Sequence, residues 1–326
     1  MKFNIIGSGT WGITFANLLV KNNNSVTVLH RSSKNSLSLI KQGKHPHLPN
    51  IIISKKINYT DDFSSLDLKN INVLALPANE IDNFFKINNF INSKILLLCK
   101  GIDINHKLLI SKLLTDKHNI FPDDIAVLSG PNHAEEILKN KPTTSIIASS
   151  NKIYREELQK TISSTSFRLY TSNDINGVQV GAAVKNVIAI ASGICFGLKL
   201  GDNTQASLVS RGLNEILELN KVFSFNDETI YGLSGLGDLI CTCYSNHSRN
   251  RKLGILLSTG KNLDISNNEV GMISEGIYTS KVLYEIINKF HLDMPICKEV
   301  YNIIYKNFNP KDSILKLMNR SLKDEK

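Results

Sequence analysis

The sequence predicts an α/β protein whose second half is entirely helical, and two observations lead to this interpretation. Up to about residue 176, short apolar runs alternate with amphipathic segments, as in a sheet covered by helices on both faces. From Gly177 onwards the strand signals thin out, and apolar residues recur with a 3.6-residue period. We therefore predict a doubly wound, Rossmann-like sheet in residues 1–180 and an all-helical domain in residues 181–326.

A glycine-rich turn near the N-terminus is the strongest local pattern. The apolar run 3–6 leads into Gly7, Ser8, Gly9, Thr10, Trp11 and Gly12, and an amphipathic segment, 13–20, follows. Between a strand and a helix, such glycines permit a tight turn and let a pyrophosphate approach the positive helix N-terminus. Glycines also mark ordinary turns, so the strand-to-helix context carries the prediction of a dinucleotide site.

His30 and Arg31 end the second predicted strand, 25–29, about 20 residues beyond the glycine turn. An acid at this place would bind the ribose 2′-hydroxyl of NAD, whereas an arginine can pair with the 2′-phosphate of NADP. The sequence has no acid here, which favours NADP(H) and leaves NAD(H) as the alternative. An exposed arginine at a strand end is the competing interpretation of Arg31.

Further strands are predicted at 51–53, 72–76, 93–99, 125–128, 143–148 and 167–171. Three of them end in small or polar residues, at 77–79, at Lys100 and at 129–131. In an open parallel sheet, ligands bind at the carboxyl ends of the strands. This favours a site role for Lys100 over that of a solvated surface charge.

Composition limits the classes of partner. The chain has 326 residues, a formal net charge of +9 and only 7% aromatic residues. Its positive charges are scattered, which favours small anionic ligands over nucleic acid. The five cysteines are odd in number and fit reduced thiols in a cytoplasmic protein. We expect no membrane span, since no unbroken apolar run approaches 18 residues.

No metal site is expected either. Cys241 and Cys243 lack a second Cys/His pair at zinc-like spacing. His45 and His47 flank a proline in a predicted loop, and we interpret them as plain loop residues.

The helical half carries three candidate features, and its helices are predicted at 205–219, 252–257, 277–290 and 296–306. Lys185 and Asn186 lie near the start of an earlier amphipathic helix, where a lysine is either a proton-transfer group or an ordinary surface residue. The glycine-rich segment 232–238 ends in Asp238, and it either crowds a ligand or forms a loop. Ser248 is a good N-cap, and Arg249 and Asn250 behind it suit a phosphate or form a solvated basic turn.

Seven motifs together resemble the bacterial NAD(P)-dependent glycerol-3-phosphate dehydrogenases over almost the whole chain. They are GSGTWG at Gly7, LALPAN at Leu74, CKGI at Cys99, LSGPNHAEEI at Leu128, GAAVKNVIAIASGI at Gly181, GLSGLGDLICTCYSNHSRN at Gly232 and ISEG at Ile273. The resemblance implies reduction of dihydroxyacetone phosphate by a nicotinamide cofactor, supplying glycerol 3-phosphate for phospholipid synthesis. It leaves the oligomeric state open, with a homodimer as one expectation.

The resemblance also implies roles for individual residues. Lys185 resembles the catalytic proton donor, with Lys100 and Asp238 as its partners around the reacting carbon. The implied cofactor contacts are Gly7, Ser8, Gly9, Thr10, Trp11, Gly12, His30, Arg31, Lys100, Ala134, Arg249 and Glu275. The implied substrate contacts are Lys100, Gly130, Asn132, Lys185, Asn186, Asp238, Ser248, Arg249 and Asn250.

The chain departs from the family pattern at two positions. Asn132 stands where serine or threonine is usual, which makes its substrate contact less secure. His47 stands where tyrosine or arginine is common, and we assign it no role. Two other function classes stay open: a related two-domain hydroxy-acid reductase and a non-catalytic dinucleotide sensor.

Overall fold

The computed structural model describes residues 1–30, 42–48, 51–90, 92–261, 263, 269–270, 274–322 and 324–325. The chain divides into two units, Met1–Gln179 and Val180–Lys326. The first is built around a sheet and the second contains helices in its described part. Arg31, one of the predicted cofactor contacts, lies outside the described residues.

The sheet of the first unit has eight strands in the order β3-β2-β1-β4-β5-β6-β7-β8. The strands are β1 (Lys2–Ile6), β2 (Ser25–Leu29), β3 (Asn58–Thr60), β4 (Ile71–Leu74), β5 (Ile95–Leu97), β6 (Ile125–Ser129), β7 (Thr143–Ala148) and β8 (Phe167–Ser172). All neighbouring pairs are parallel except β6 and β7, which are antiparallel. The predicted doubly wound sheet is confirmed, with one antiparallel pair that the sequence did not indicate.

The strand predicted at 51–53 is wrong, since these residues have no regular structure and the third strand is β3. Ile53 is buried in the core beneath the sheet, and its backbone N–H donates to the carbonyl of Gly43. Ile52 beside it is exposed. Only one isoleucine of the apolar run 51–53 is fully buried, and it is inserted from a loop, which apolar patterning does not distinguish from a strand.

Helices cover both faces of the sheet. They are α1 (Thr10–Lys21), α2 (Ala78–Ile87), α3 (Ile110–His118), α4 (Ala134–Leu138), α5 (Lys152–Ile162) and the start of α6 (Ile175–Gly197). One apolar cluster includes Phe15 and Leu19 of α1, and the other includes Phe84 of α2 and Leu113 of α3. All five residues of β6 are buried, as expected for a strand covered on both sides.

The second unit comprises the rest of α6 and eight further α-helices in its described part. These are α7 (Asp202–Glu218), α8 (Asn220–Phe223), α9 (Asp227–Tyr231), α10 (Asp238–Tyr244), α11 (Arg249–Ser258), α12 (Glu275–Phe290), α13 (Pro295–Lys306) and α14 (Pro310–Met318). The glycine-rich segment before α10 forms a π-helical turn, Leu233–Gly237. Lys185 and Asn186 lie in the middle of α6 and not near a helix start, because the helix already begins at Ile175.

By length and composition, α6 is apolar enough to cross a membrane, which the sequence inspection did not anticipate. Polar residues such as Gln179 and Lys185 interrupt it, so it contains no unbroken apolar run of that length. Within the protein, 89% of its most apolar 18-residue window is buried. This burial is typical of a core helix.

Close glycine contacts join α6 to α11 in the second unit. A Cβ added to Gly193 would lie 2.1 Å from the carbonyl oxygen of Arg251, and one added to Gly254 would lie 2.0 Å from that of Ile190. Both distances are far below ordinary van der Waals contact, so only glycine allows the two backbones to approach in this way. The contact fixes the start of α11 against the helix that carries Lys185.

Candidate functional site

The glycine turn of the first unit is shaped by the absence of side chains. Gly7 has a φ of +113°, and a Cβ there would lie 2.7 Å from the carbonyl oxygen of Ala75. A Cβ on Gly12 would lie 2.2 Å from the carbonyl oxygen of Gly7. By contrast, a Cβ on Gly9 would meet nothing within 4 Å. The open space at Gly9, at the N-terminus of α1, fits the pyrophosphate of a dinucleotide.

Two buried histidines contact this turn. The Oγ of Ser8 lies 2.6 Å from Nδ1 of His30, at the end of β2. Nε2 of His45 lies 3.2 Å from the carbonyl oxygen of Ser8, and the backbone N–H of His47 donates to Nδ1 of His45. Because Nδ1 accepts, Nε2 carries the proton and donates to Ser8.

Burial lowers the pKa of His45, and the hydrogen bond to Ser8 offsets this only in part. The sequence interpretation of His45 as a plain loop residue missed this contact. It joins positions 37 residues apart, and no local pattern indicates it. Thr10 and Trp11 begin α1, and the Trp11 ring packs at 6.0 Å from Phe15.

Lys100 lies beyond the end of β5 and contacts residues that follow the neighbouring strand β6. Its Nζ donates to the carbonyl oxygen of Gly130 at 3.1 Å and to Oδ1 of Asn132 at 2.8 Å. An ammonium group can only donate, so the Asn132 amide oxygen faces the lysine and its nitrogen faces Ser145 Oγ, at 3.4 Å. The predicted residue Ala134 is buried two positions later, at the start of α4.

The second unit buries a lysine in a side-chain network. Nζ of Lys185 donates to Oδ1 of Asp238 at 2.6 Å and to Oγ1 of Thr242 at 2.7 Å. The hydroxyl of Thr242 in turn donates to the backbone carbonyl of Asp238, at 2.6 Å. Only 5% of Lys185 and 2% of Asp238 is exposed, so this is an ion pair largely removed from water.

Sequence reasoning placed Lys185 and Asp238 in one site but missed Thr242. Asp238 is the first residue of α10, and Thr242 follows four residues later on the same face. The four-residue spacing between Asp238 and Thr242 was the feature of the sequence that could have identified Thr242 as part of the site. A buried ammonium held by a carboxylate and a hydroxyl is an oriented proton donor for a polar group brought beside it.

A second network in this unit joins α6, α11 and α12. The side-chain amide of Asn250 donates to Oδ1 of Asn186 at 2.9 Å, and its own oxygen accepts from the backbone N–H of Gly276 at 3.1 Å. Glu275, the first residue of α12, is the neighbour of that glycine. The network therefore holds the start of α12 beside the first turn of α11.

The start of α11 follows the prediction made for Ser248. Its Oγ accepts from the backbone N–H of Arg251 at 3.2 Å, which confirms it as the N-cap. Arg249 is the first residue of the helix and is exposed, whereas Ser248 and Asn250 are buried. A cation at a helix N-terminus is a suitable arrangement for a phosphate.

All five cysteines are free thiols. Within the described part of the chain, no group of three or more His, Cys, Asp or Glu side chains is arranged to hold a metal ion.

Comparison with known proteins assigns the chain to a family. The model for the N-terminus of NAD-dependent glycerol-3-phosphate dehydrogenase matches residues 2–154, and the model for the C-terminus matches residues 174–315. The chain belongs to the NAD-dependent glycerol-3-phosphate dehydrogenase family. The resemblance found in the sequence is therefore confirmed, and the protein is an NAD(P)-dependent oxidoreductase.

Individual relatives cover the whole chain. The glycerol-3-phosphate dehydrogenase (NAD(P)+) of Fusobacterium nucleatum is 40% identical over 100% of this chain and 98% of its own length. That of Clostridium botulinum strain Eklund 17B is 37% identical over 99% of both proteins. The crystal structure of the Coxiella burnetii glycerol-3-phosphate dehydrogenase superposes with a TM-score of 0.91 at 29% identity, covering 98% of this chain and 99% of that one.

The fold extends beyond this family. A D-mandelate dehydrogenase with NADH superposes with a TM-score of 0.62 at 13% identity, covering 96% of this chain and 100% of that one. This likeness shows the shared fold alone, and the alternative of a hydroxy-acid reductase is not favoured by the comparisons.

Proposed function

We propose that the protein interconverts dihydroxyacetone phosphate and sn-glycerol 3-phosphate with NADPH or NADH, and so supplies glycerol 3-phosphate for phospholipid synthesis. The observation that carries the proposal is the buried ammonium of Lys185, held by Asp238 and Thr242 in a chain with a dinucleotide-type glycine turn. When bound, the nicotinamide supplies the hydride chemistry. The protein supplies placement, charge and a proton.

Lys185 is the proposed proton donor to the carbonyl oxygen of the ketone. Asp238 and Thr242 hold its Nζ from two sides, which keeps the ammonium group in a defined orientation. The positive charge also stabilises the negative charge that develops on the substrate oxygen. In the reverse direction, the neutral amine would accept the proton of the alcohol.

Lys100 is the proposed second cation of the reaction, and its role is argued from contacts within the first unit. The Gly130 carbonyl and the Asn132 amide oxygen hold its Nζ at the carboxyl ends of β5 and β6, where parallel sheets bind ligands. In this proposal Asn132 positions the Lys100 ammonium group by accepting its hydrogen bond. This gives asparagine a role at a position where the family usually has serine or threonine.

The remaining predicted contacts divide between the two units. Residues 1–180 are proposed to bind the dinucleotide through the glycine turn, Ser8, His30 and Ala134. Residues 181–326 are proposed to bind the substrate phosphate and hydroxyls through Ser248, Arg249, Asn250 and Asn186. Arg249 and Glu275 are proposed to contact the cofactor as well.

Three finer expectations stay predictions. A preference for NADP(H) rests on Arg31, and the ratio of KM values for the two cofactors tests it. A cytoplasmic location is supported by five free thiols, which persist in reducing compartments. A homodimer is tested by sedimentation equilibrium of the purified protein.

Steady-state kinetics test the proposed function directly. Purified protein is assayed with dihydroxyacetone phosphate and with a series of 2-keto acids, each with NADPH and with NADH. We expect turnover with dihydroxyacetone phosphate and little with the acids. Turnover of a keto acid alone would favour the hydroxy-acid reductase, and NADPH binding without turnover of any substrate would favour the dinucleotide sensor.

A further inference from the structure

Arg251, in the first turn of α11, is a buried cation. Only 6% of the residue is exposed. Its guanidinium carbon lies 4.2 Å from the centre of the Phe196 ring, and its Nη1 donates to Oδ1 of Asn246 at 3.1 Å. Among the residues that the structure describes, no carboxylate pairs with it, and its buried Nε has no hydrogen-bond acceptor.

Packing alone does not account for an arginine at this place. Burying a guanidinium removes it from water, and an apolar side chain of similar length would fill the same space without that cost. The Phe196 ring face and the Asn246 amide recover part of it, because a guanidinium is attracted to the face of an aromatic ring. The presence of an arginine here is therefore explained by the neighbouring residues that it holds in place.

Arg251 contacts both ends of the turn that leads into α11. Its backbone N–H donates to the Ser248 hydroxyl, and its side chain donates to Asn246, two residues earlier. The turn also closes on itself, since the Ser248 N–H donates to the carbonyl of Ser245. Asn246 is exposed at the surface, so the bond from Arg251 anchors a side chain that is otherwise solvated.

The contact with Phe196 gives the arginine a fixed support. Phe196 lies at the end of α6, and the Gly193 and Gly254 contacts hold α6 and α11 together within one turn of it. Phe196 is 48% exposed, and the guanidinium lies over its ring. The arginine thus connects a rigid helix pair to the turn before Ser248.

We propose that Arg251 is a positioning residue that fixes residues 245–249 for recognition of the substrate phosphate. The inference rests on the proposed function, which assigns the phosphate to Ser248 and Arg249. Arg251 itself does not contact the substrate. Its loss would let the turn and the Arg249 cation sample wrong positions, and misplacement by about 1 Å can cost about 100-fold in rate.

The test compares dihydroxyacetone phosphate with dihydroxyacetone, which lacks the phosphate. In Arg251→Met, assayed at saturating NADPH so that any weaker cofactor contact of Arg249 does not contribute, we expect kcat/KM for the phosphorylated substrate to fall about 10- to 100-fold, while kcat/KM for dihydroxyacetone falls less than about threefold. Phe196→Leu removes the aromatic ring. It should lower kcat/KM for dihydroxyacetone phosphate by a smaller factor and again affect dihydroxyacetone less. Phe196→Tyr keeps the ring and should retain most of the discrimination between the two substrates.

Lys252→Met is the matched control, because it removes a positive charge one residue along the same helix from an exposed position. It should leave both kcat/KM values within about twofold, as expected for a surface residue. Melting temperatures are recorded for every variant. Equal losses on both substrates, or a lower melting temperature with unchanged discrimination, would overturn the positioning role. If Arg251→Met does not fold, the same comparison is made with Asn246→Ala, Phe196→Leu and Phe196→Tyr. The ratio of kcat/KM for dihydroxyacetone phosphate to that for dihydroxyacetone then tests the positioning role. An inactive wild type would instead contradict the proposed function.

Discussion

The glycine turn of the first unit and the lysine network of the second are built in opposite ways. The turn depends on missing side chains, since added Cβ atoms at Gly7 and Gly12 would collide with backbone carbonyls. The network depends on buried side chains, which join Lys185 to residues 53 and 57 positions further along the chain. The glycines of the turn are close together in the sequence, although Gly7 packs against the distant Ala75. The lysine network is assembled only when the helices have packed.

The two constructions also differ in what they cost. Glycines lose more conformational freedom on folding than other residues, so the turn is opposed by backbone conformational entropy. The lysine network removes two charges from water, and that cost is recovered only while both partners are present. We therefore expect substitutions in the turn to separate binding from stability, and substitutions of Lys185 or Asp238 to lower both catalytic activity and stability.

The largest effect is expected from Lys185→Ala. Turnover of dihydroxyacetone phosphate should fall about 10²- to 10⁴-fold, because the variant lacks the proton donor. The affinity for NADPH, measured by fluorescence titration, should change little, since the proposed dinucleotide residues of the first unit are untouched. Near-normal turnover in this variant would remove Lys185 from the mechanism.

The turn is tested by a pair of substitutions that add the same methyl group. Gly9→Ala should leave the melting temperature almost unchanged, because its Cβ meets nothing within 4 Å. It should raise the Kd for NADPH about tenfold or more, by occupying space that the pyrophosphate needs. The Kd is measured by fluorescence titration and the melting temperature by calorimetry.

Gly12→Ala is the matched comparison. Its Cβ would lie 2.2 Å from the Gly7 carbonyl, so it should destabilise the free protein by about 1–3 kcal/mol. Unchanged NADPH affinity in Gly9→Ala would place the pyrophosphate elsewhere. Equal destabilisation by both substitutions would contradict the geometry of the turn.

The sequence predicted the fold class because strands buried on both faces leave unmistakable apolar runs, as in β6. It misplaced the third strand because Ile53 is buried from a loop, which apolar patterning does not distinguish from a strand. It placed Lys185 near a helix start because the polar residues of α6 look like a boundary in the sequence, although they are buried in the protein.

For the candidate site, the resemblance supplied residue roles, and these stay predictions. Thr242 and His45 were missed for different reasons. Thr242 lies one helical turn beyond Asp238, a spacing that is visible once α10 is recognised. His45 reaches the glycine turn through the tertiary fold, and its sequence neighbours give no sign of this.

Thr242→Val removes a hydroxyl from the lysine network while keeping the shape of the side chain. Nζ of Lys185 would lose one of its acceptors, so kcat should fall about tenfold, which corresponds to one hydrogen bond to a charged group. Thr242→Ser retains the hydroxyl and should recover most of the loss. A Val variant with wild-type kcat and an unchanged pH profile would show that the Thr242 hydroxyl is not needed to orient the lysine.

The pH dependence of stability separates two buried acids, one in each unit. In the second unit, burial raises the pKa of Glu215 to about 7, although both its oxygens accept backbone N–H groups at the start of α13. In the first unit, burial of Asp82 would raise its pKa, but hydrogen bonds from Lys86 and His118 outweigh this and lower it. The two acids should therefore affect stability in opposite directions as pH changes.

For Glu215, the folded-state pKa exceeds the unfolded value of 4.5, so the stabilisation is complete below pH 4.5 and is lost as pH rises through about 7. Glu215→Gln cannot titrate and should flatten the decline in unfolding free energy between these pH values, by on the order of 2 kcal/mol. Asp82→Asn is the comparison, since its depressed pKa stabilises above the unfolded value and that contribution is lost only in acid. Calorimetry between pH 5 and pH 8 measures the Glu215 effect, and its extension to acid pH measures the Asp82 effect. If Glu215→Gln declines with pH as steeply as the wild type, another group titrates in this range, and the carboxylate at the start of α13 is charged throughout.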